Sequence, residues 1–375
     1  MAVWRVSAGP PCKFYEGMEE AMVPKEERLT IWYDEMDGND FNLVGKKNAN
    51  LGEMTKAGIP VSPGFAVTIH CMDKFTADTG IKEKLAKLIT TEGEVPFEVA
   101  KPASDEAIRL INTTEMPDDI RNDICSNYQK LCEKCGVENV PVAVRSSGAV
   151  SMPGQMETYL NIRGEKDLIS YIRLCWTSAY NTEAIMYRMN KNIPFLFNIG
   201  TGIPKMVNSR VAGVIFTINP INGDPSKISI DASYGLGESV VSGFVTPDTF
   251  LIDKIVMEPV KTIIGSKEVM CVYKEGGSDI LQAPVPEEKR GVPCLTRQEM
   301  IELARIGKGI EDYYGKAYDI EFGIDADMPF PSNVIILQVR PESVWSKKDT
   351  EAKTSKAKDP MDRLLGQLLT GVKLK

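Results

Sequence analysis

The sequence predicts an α+β protein made of two subdomains, and three observations carry that prediction. The chain has 375 residues, 43% of them hydrophobic, which is enough to build one large or two moderate cores. Its first half is dominated by helical, charged segments. Past Gly202 the pattern shifts to β-branched runs punctuated by Asn-Gly, Gly-Gly and Pro, the mark of strands joined by turns.

Residues 1–40 read as an N-terminal extension of mixed charge, with Trp32 and Tyr33 seeking a surface to pack on. The first subdomain spans 41–205. In "FNLVGKKNANLGEMTKAGIPVSPGFAVT" the spacing predicts a short strand, a Gly-Lys-Lys turn, a helix carrying Leu51 and Met54 and stopped by Gly58, and a Pro-punctuated entry to a strand. Lysines therefore fall at the helix's N-terminal side. A charged helical region follows from about Met72 to Val137. The β-branched run "VPVAVRSSG" then ends at Arg145, and "KDLISYIRLCWTSAYNTEAIMYRMN" returns to helical spacing.

The second subdomain spans 206–345. Strands are predicted at "RVAGVIFTINP", "KISIDASYGLG", "TFLIDKIVMEPV" and "EVMCVYKEGG". One strong helix follows, "TRQEMIELARIGKGIEDYYG", with Thr296 and Glu299 in capping-box spacing and Gly315 as its stop. The strands "AYDIEFGID" and "NVIILQVRPES" close the domain. Residues 346–375 read as a lysine-rich linker and a short amphipathic tail with Leu364, Leu365, Leu368 and Leu369.

Composition excludes several classes. A net charge of −8 argues against a nucleic-acid binder held by a general basic field, so any positive cleft must be local. No stretch approaches the roughly 20 apolar residues that span a bilayer, and the start lacks a secretory signal pattern; a cytoplasmic protein with no membrane partner is expected. Eight scattered cysteines read as reduced thiols, and the one CxxC, Cys132 to Cys135, lacks the further ligands of a zinc site. The single histidine, His70, has no nucleophile elbow to pair with, so packing or helix capping is its expected role.

Chemistry gathers at the closing strands. Asp319 and Glu321 are two apart in "YDIEF" and Gln338 and Arg340 are two apart in "LQVRP", so each pair shares one strand face, with Ile320, Phe322, Leu337 and Val339 turned the other way. Hard oxygen ligands beside an arginine suit Mg²⁺ carrying phosphates. A half-exposed sheet face with solvated charges is the alternative. The glycines Gly235, Gly237 and Gly243 of "DASYGLGESVVSG" match no full phosphate-loop pattern. Taken with Lys47 and Arg145, however, the four strand residues make a set able to hold a nucleotide triphosphate with its metal.

Five ordered motifs, "NLVGKKNANLGEM", "VPVAVRSSGAVSMPGQMETYLNI", "MVNSRVAGVIFTINP", "YGLGESVVSGFVTPD" and "DIEF...ILQVRPES", resemble the N-terminal ATP-grasp domain of phosphoenolpyruvate synthase and pyruvate phosphate dikinase, over Phe41 to Ser343. The "GAVSMPG" loop is more similar to the dikinase version. The resemblance implies two subdomains with ATP in the cleft between them. It implies that Lys47 and Arg145 contact phosphates, that Thr158 lies on a lid loop there, that Glu321 and Gln338 bind Mg²⁺, that Arg340 steadies the triphosphate, and that Asp319 supports the metal or touches a second one. Lys47, Arg145 and Arg340 are the catalytic cations of that reading. One departure stands at the adenine hinge: this chain has Ile203-Pro204-Lys205-Met206-Val207 where the family usually reads Val-Gln-Lys-Met-Val, and proline offers neither an amide side chain nor an N–H. Base recognition is then left to the backbone of Lys205, Met206 and Val207.

In the full-length enzymes the ATP-grasp domain passes a pyrophosphoryl group to a histidine on a swivelling domain. This sequence contains no Thr-Ser-His swivel signature. The expectation is therefore a split enzyme whose acceptor histidine and substrate site lie on a separate subunit, similar to phenylphosphate synthase, with phenol as final acceptor. The ATP-grasp part of a phosphoenolpyruvate synthase, pyruvate phosphate dikinase or rifampin-type phosphotransferase is the alternative. A non-catalytic nucleotide sensor is a third reading, supported by Pro204 alone.

Overall fold

A computed structural model describes residues 23–150, 157–274, 279–342 and 345. The expected lid loop over 151–156, the first 22 residues of the extension and the tail over 346–375 lie outside the described residues.

The first sheet has five antiparallel strands in the order β1-β2-β5-β3-β4: β1 Thr30–Trp32, β2 Gly64–Val67, β3 Val142–Ser147, β4 Thr158–Ile162 and β5 Gly200–Pro204. Helix α1, Phe41–Val44, and α2, Lys46–Lys56, precede β2. The helices α3 Ile69–Asp78, α4 Ile81–Ala86, α5 Phe97–Thr113 and α6 Asp118–Cys135 follow it, and α7 Glu165–Thr177 and α8 Thr182–Asn190 lie between β4 and β5. Their apolar stripes share one core with the strands, in which Phe75 and Trp176 meet at 5.2 Å between ring centroids. His70 sits in the first turn of α3, whose cap is the Thr68 hydroxyl accepting from the Cys71 N–H.

Within residues 1–40, Thr30–Trp32 adds the edge strand β1 to the sheet, and Ile31 and Tyr33 are buried. One expectation changes here. The stretch expected as a strand at Phe41–Val44 is a helical turn instead. Gly45, at φ 80°, breaks it from α2, and a side chain there would collide with the Ser147 carbonyl.

The second sheet has six antiparallel strands in the order β13-β12-β6-β7-β8-β9: β6 Ser209–Phe216, β7 Lys227–Tyr234, β8 Asp248–Asp253, β9 Glu258–Ile263, β12 Tyr318–Asp325 and β13 Val334–Pro341. The run "TFLIDKIVMEPV" is thus a hairpin rather than one strand, turning where the Ile255 and Val256 amides donate to Asp253. A separate hairpin of β10, Val269–Tyr273, and β11, Ile280–Pro284, lies beside β7. Two helices are short, α9 Glu238–Val241 and α10 Glu287–Arg290. The long helix α11, Arg297–Tyr314, carries both halves of the Thr296/Glu299 capping box, ends at left-handed Gly315, and packs on the sheet through Met300, Leu303, Ala304 and Ile310.

One fully buried ion pair locks the loops of this second half. Lys267 bonds Asp248, whose carboxylate also accepts the Gly265 N–H at 2.9 Å and the Cys294 N–H at 2.8 Å. Lys267 donates further to the carbonyls of Gly265 and Arg290. With every partner satisfied the pair is tolerated, but removing one member strands the other in a dry interior. Asp248→Ala is therefore expected to cost about 3–5 kcal/mol, read as a lowered midpoint in chemical denaturation.

Candidate functional site

The site is assembled where the free edge of the six-stranded sheet meets the five-stranded one. Arg145, on β3, lies opposite Gly202 of β5 and Thr158, the first residue of β4. Gly202 leaves room at this point: a Cβ there would collide with Asn48 and stand 3.0 Å from the Tyr33 hydroxyl. The Arg145 guanidinium crosses to the other sheet, where Nη1 donates to the Leu337 carbonyl of β13 at 3.0 Å. Its Nε is buried with no partner.

Lys47 stands in the first turn of α2. The leading amides of that helix are already taken. Ser147 Oγ accepts from the N–H of Lys47 at 3.1 Å and of Asn48 at 3.3 Å, and the Gly148 carbonyl accepts from Lys46 at 3.0 Å. What α2 offers the cleft is therefore the Lys47 ammonium, not an open helix N-terminus. Burial holds its pKa below the usual lysine range; the charge of Arg145 and, less strongly, that of Arg340 push the same way, against Glu321. Among the described residues Lys47 has no ion-pair partner within bonding distance.

On the opposite wall the register pairs Asp319 with Arg340 and Glu321 with Gln338. Arg340 Nε lies 3.4 Å from Asp319, and Gln338 Nε2 donates to Glu321 Oε1 at 3.1 Å. Asp319 Oδ1 is buried without a partner, and burial raises that carboxyl above its ordinary range. A bulge interrupts the ladder between Glu321 and Phe322, so Leu337 is the extra residue on β13. The strict alternation expected at Leu337 fails for that reason: its side chain comes within 3.7 Å of where a Cβ on Gly323 would sit, on the same side as Glu321.

Between the walls runs the segment after β5. Lys205 and Met206 direct their N–H groups to Pro63 and Pro141, both at 2.8 Å. The Lys205 carbonyl accepts from Ser62 Oγ at 2.6 Å, and the Val207 carbonyl from the Tyr273 hydroxyl at 2.7 Å. No partner for the Val207 N–H is found among the described residues. On an extended stretch the C=O of one residue and the N–H two positions on face the same edge, so Lys205 and Val207 present an acceptor next to a donor.

The resulting cleft holds about 970 Å³, counting its open mouth, and is walled by Arg145, Thr158, Lys205, Met206, Val207, Glu321 and Gln338. Lys47, Asp319 and Arg340 are not in its walls, although Lys47 feels the charges of Arg145, Glu321 and Arg340. Ser62 and Glu238 also line the space and were not expected. Glu238 lies inside the quoted "YGLGESVVSG" motif, which was the one signal for it. Apolar walls from Leu51, Ala143, Leu236 and Phe322 come from four separate segments. His70 is not among the lining residues.

Two antiparallel sheets flanked by helices, with a cleft between them that has Arg145 on one side and Glu321 and Gln338 on the other, define an α+β protein with a polar cleft. The chain belongs to the family of pyruvate phosphate dikinase AMP/ATP-binding domains, whose model matches residues 41–360. A probable phosphoenolpyruvate synthase of Staphylothermus marinus is 40% identical over 362 residues, covering 89% of this chain and 43% of that protein. The probable phosphoenolpyruvate synthase of Methanocaldococcus jannaschii is 37% identical over 90% of this chain and 28% of its own length, and the phosphoenolpyruvate synthase of Aeropyrum pernix is 37% identical over 87% and 44%. The chain thus spans less than half the length of these relatives. The macrocyclase MdnC of Microcystis aeruginosa overlaps 68% of each chain at 9% identity and a TM-score of 0.22, a likeness too slight to bear on the fold. Among the described residues no helix is long and apolar enough to cross a membrane.

The half-buried, unpaired ammonium of Lys47 sets a stability trend. A lysine whose folded-state pKa lies below its unfolded value binds fewer protons when folded, so stability rises with pH through the window below about 10.4. Lys47→Met removes that burden. We expect the variant to gain about 1 kcal/mol at neutral pH and to lose the rise in stability toward alkaline pH, measured by urea denaturation across pH.

Proposed function

We propose that the chain is the ATP-binding part of a dikinase-type phosphotransferase, moving the pyrophosphoryl group of ATP to a histidine outside these 375 residues. The observation that carries this reading is Arg145 across one cleft from the Glu321/Gln338 oxygen donors, with Lys47 close enough to feel the charges of both Arg145 and Glu321. Family membership supports ATP as the ligand. Adenine fits the hinge chemically: its N6 amine donates to the Lys205 carbonyl and its N1 accepts from Val207, whereas guanine would set an acceptor against that carbonyl.

The donor set also fits Mg²⁺. Asp319 Oδ1 is buried and unpartnered, and Gln338 turns its amide nitrogen to Glu321, leaving its own oxygen for the cleft. Glu321 and Gln338 would hold the ion with Asp319 behind them, and the ion would neutralise phosphate charge. Lys47 and Arg145 bind the phosphate oxygens, and Arg340, tied to Asp319, steadies the triphosphate end. The accepting histidine nitrogen attacks the β-phosphorus, the bond to the oxygen shared with the α-phosphorus breaks, and AMP leaves. The terminal phosphate is released afterwards by water.

His70 does not line the cleft, and in this reading the accepting histidine is supplied by a partner subunit. Phenol is the final acceptor in the phenylphosphate synthase-like version of this reading. Pyruvate is the acceptor in a second version, favoured by the phosphoenolpyruvate synthases among the relatives. The test mixes this chain, Mg²⁺ and ATP labelled at the β-phosphate with a swivel-histidine partner. Label is expected on the partner's histidine, and chase with phenol or pyruvate names the acceptor. Glu321→Ala should slow transfer by roughly 100-fold or more; full transfer by that variant would sink the metal assignment, and nucleotide binding without any transfer would leave a sensor.

A further inference from the structure

Asn50 lies one helical turn beyond Lys47 on α2, so the two side chains share a face. Its amide does not serve its own helix. Nδ2 donates instead to the Val339 carbonyl of β13 at 3.1 Å. Val339 is the residue between Gln338, which lines the cleft, and Arg340, which is tied to Asp319.

The outer side of β13 has no neighbouring strand in its sheet, and its polar backbone groups need partners from elsewhere. Three contacts from the other half of the molecule meet that edge. Pro60 O accepts from the Ile336 N–H at 2.7 Å, Arg145 donates to Leu337 O at 3.0 Å, and Asn50 donates to Val339 O. Arg145 is a ligand-facing cation and Pro60 belongs to a loop. Asn50 alone of these three sits on the helix that bears Lys47.

We infer that Asn50 is a positioning residue for the polyphosphate end of the cleft, setting the distance between Lys47 on α2 and the Gln338/Arg340 pair on β13. This rests on the nucleotide reading of the cleft. Lys47 is repelled by Arg145 and Arg340 and attracted by Glu321, so charge alone does not fix how far α2 stands from β13. A neutral amide-to-carbonyl bond fixes that distance without adding charge. The base end of the cleft, at Ser62 and Lys205 to Val207, is held by different bonds and does not depend on Asn50.

The experiment is calorimetric titration of the whole chain with Mg·ATP and with AMP, comparing wild type, Asn50→Ala and Asn50→Leu. The leucine variant refills the space without the amide and decides the matter should the alanine variant melt early. Loss of this one part-buried hydrogen bond should weaken Mg·ATP binding about five- to tenfold. AMP, which lacks the β- and γ-phosphates, should stay within about twofold of wild type. Unchanged Mg·ATP affinity in the leucine variant overturns the inference, and so does an equal loss for both nucleotides, which marks a general structural role. Wild-type protein that binds neither nucleotide removes the reading of the cleft itself.

Discussion

The arginine that passes from one sheet to the other is the constraint on which the site depends. Arg145 leaves β3 over a glycine, is flanked by α2, and ends on a carbonyl of β13. A side chain at Gly202 would drive Asn48, and α2 with it, off the sheet. With α2 displaced, Lys47 would no longer face Glu321 and Arg340. The small residue on one strand, the cation on its neighbour and the lysine on the helix are therefore one unit.

That unit is electrostatically unfavourable by itself. Lys47 is half-buried near another cation, Tyr33 keeps a buried hydroxyl without a partner nearby, and Arg145 Nε is unsatisfied. Asp319 Oδ1 is an orphan of opposite character on β12. Buried polar groups normally find partners, so these unmet groups on facing sheets are a cost that the fold carries. The Lys267/Asp248 pair is the contrast: it is fully buried, yet each of its charges is met by the other and by further hydrogen bonds.

The hinge works by subtraction. Pro204 contributes no N–H, the amides of Lys205 and Met206 are committed to neighbouring loops, and two hydroxyls occupy carbonyls on either side. What remains is a single donor two residues from an acceptor with one lone pair left, a far narrower choice than three free backbone residues.

Local patterning determined much of this protein. The capping box at Thr296 and Glu299, the stop at Gly315 and the alternation that pairs Asp319 with Glu321 are short-range effects, set by residues within one turn or one strand, and they survive folding unchanged. The ordered motifs carried the family in the same way. Where tertiary contacts compete with local preference, the sequence was not sufficient: Phe41–Val44 turns helical against α2, Thr30–Trp32 is drawn into the sheet, and the bulge that reorients Leu337 exists only in register with β12. Ser147 capping Lys47, Asn50 reaching Val339 and Ser62 holding Lys205 were equally hidden, since each joins residues 99 to 289 positions apart or turns on which lone pair is already taken. Composition and spacing could name the charges of the site, but only packing in three dimensions decided which of them were left without partners.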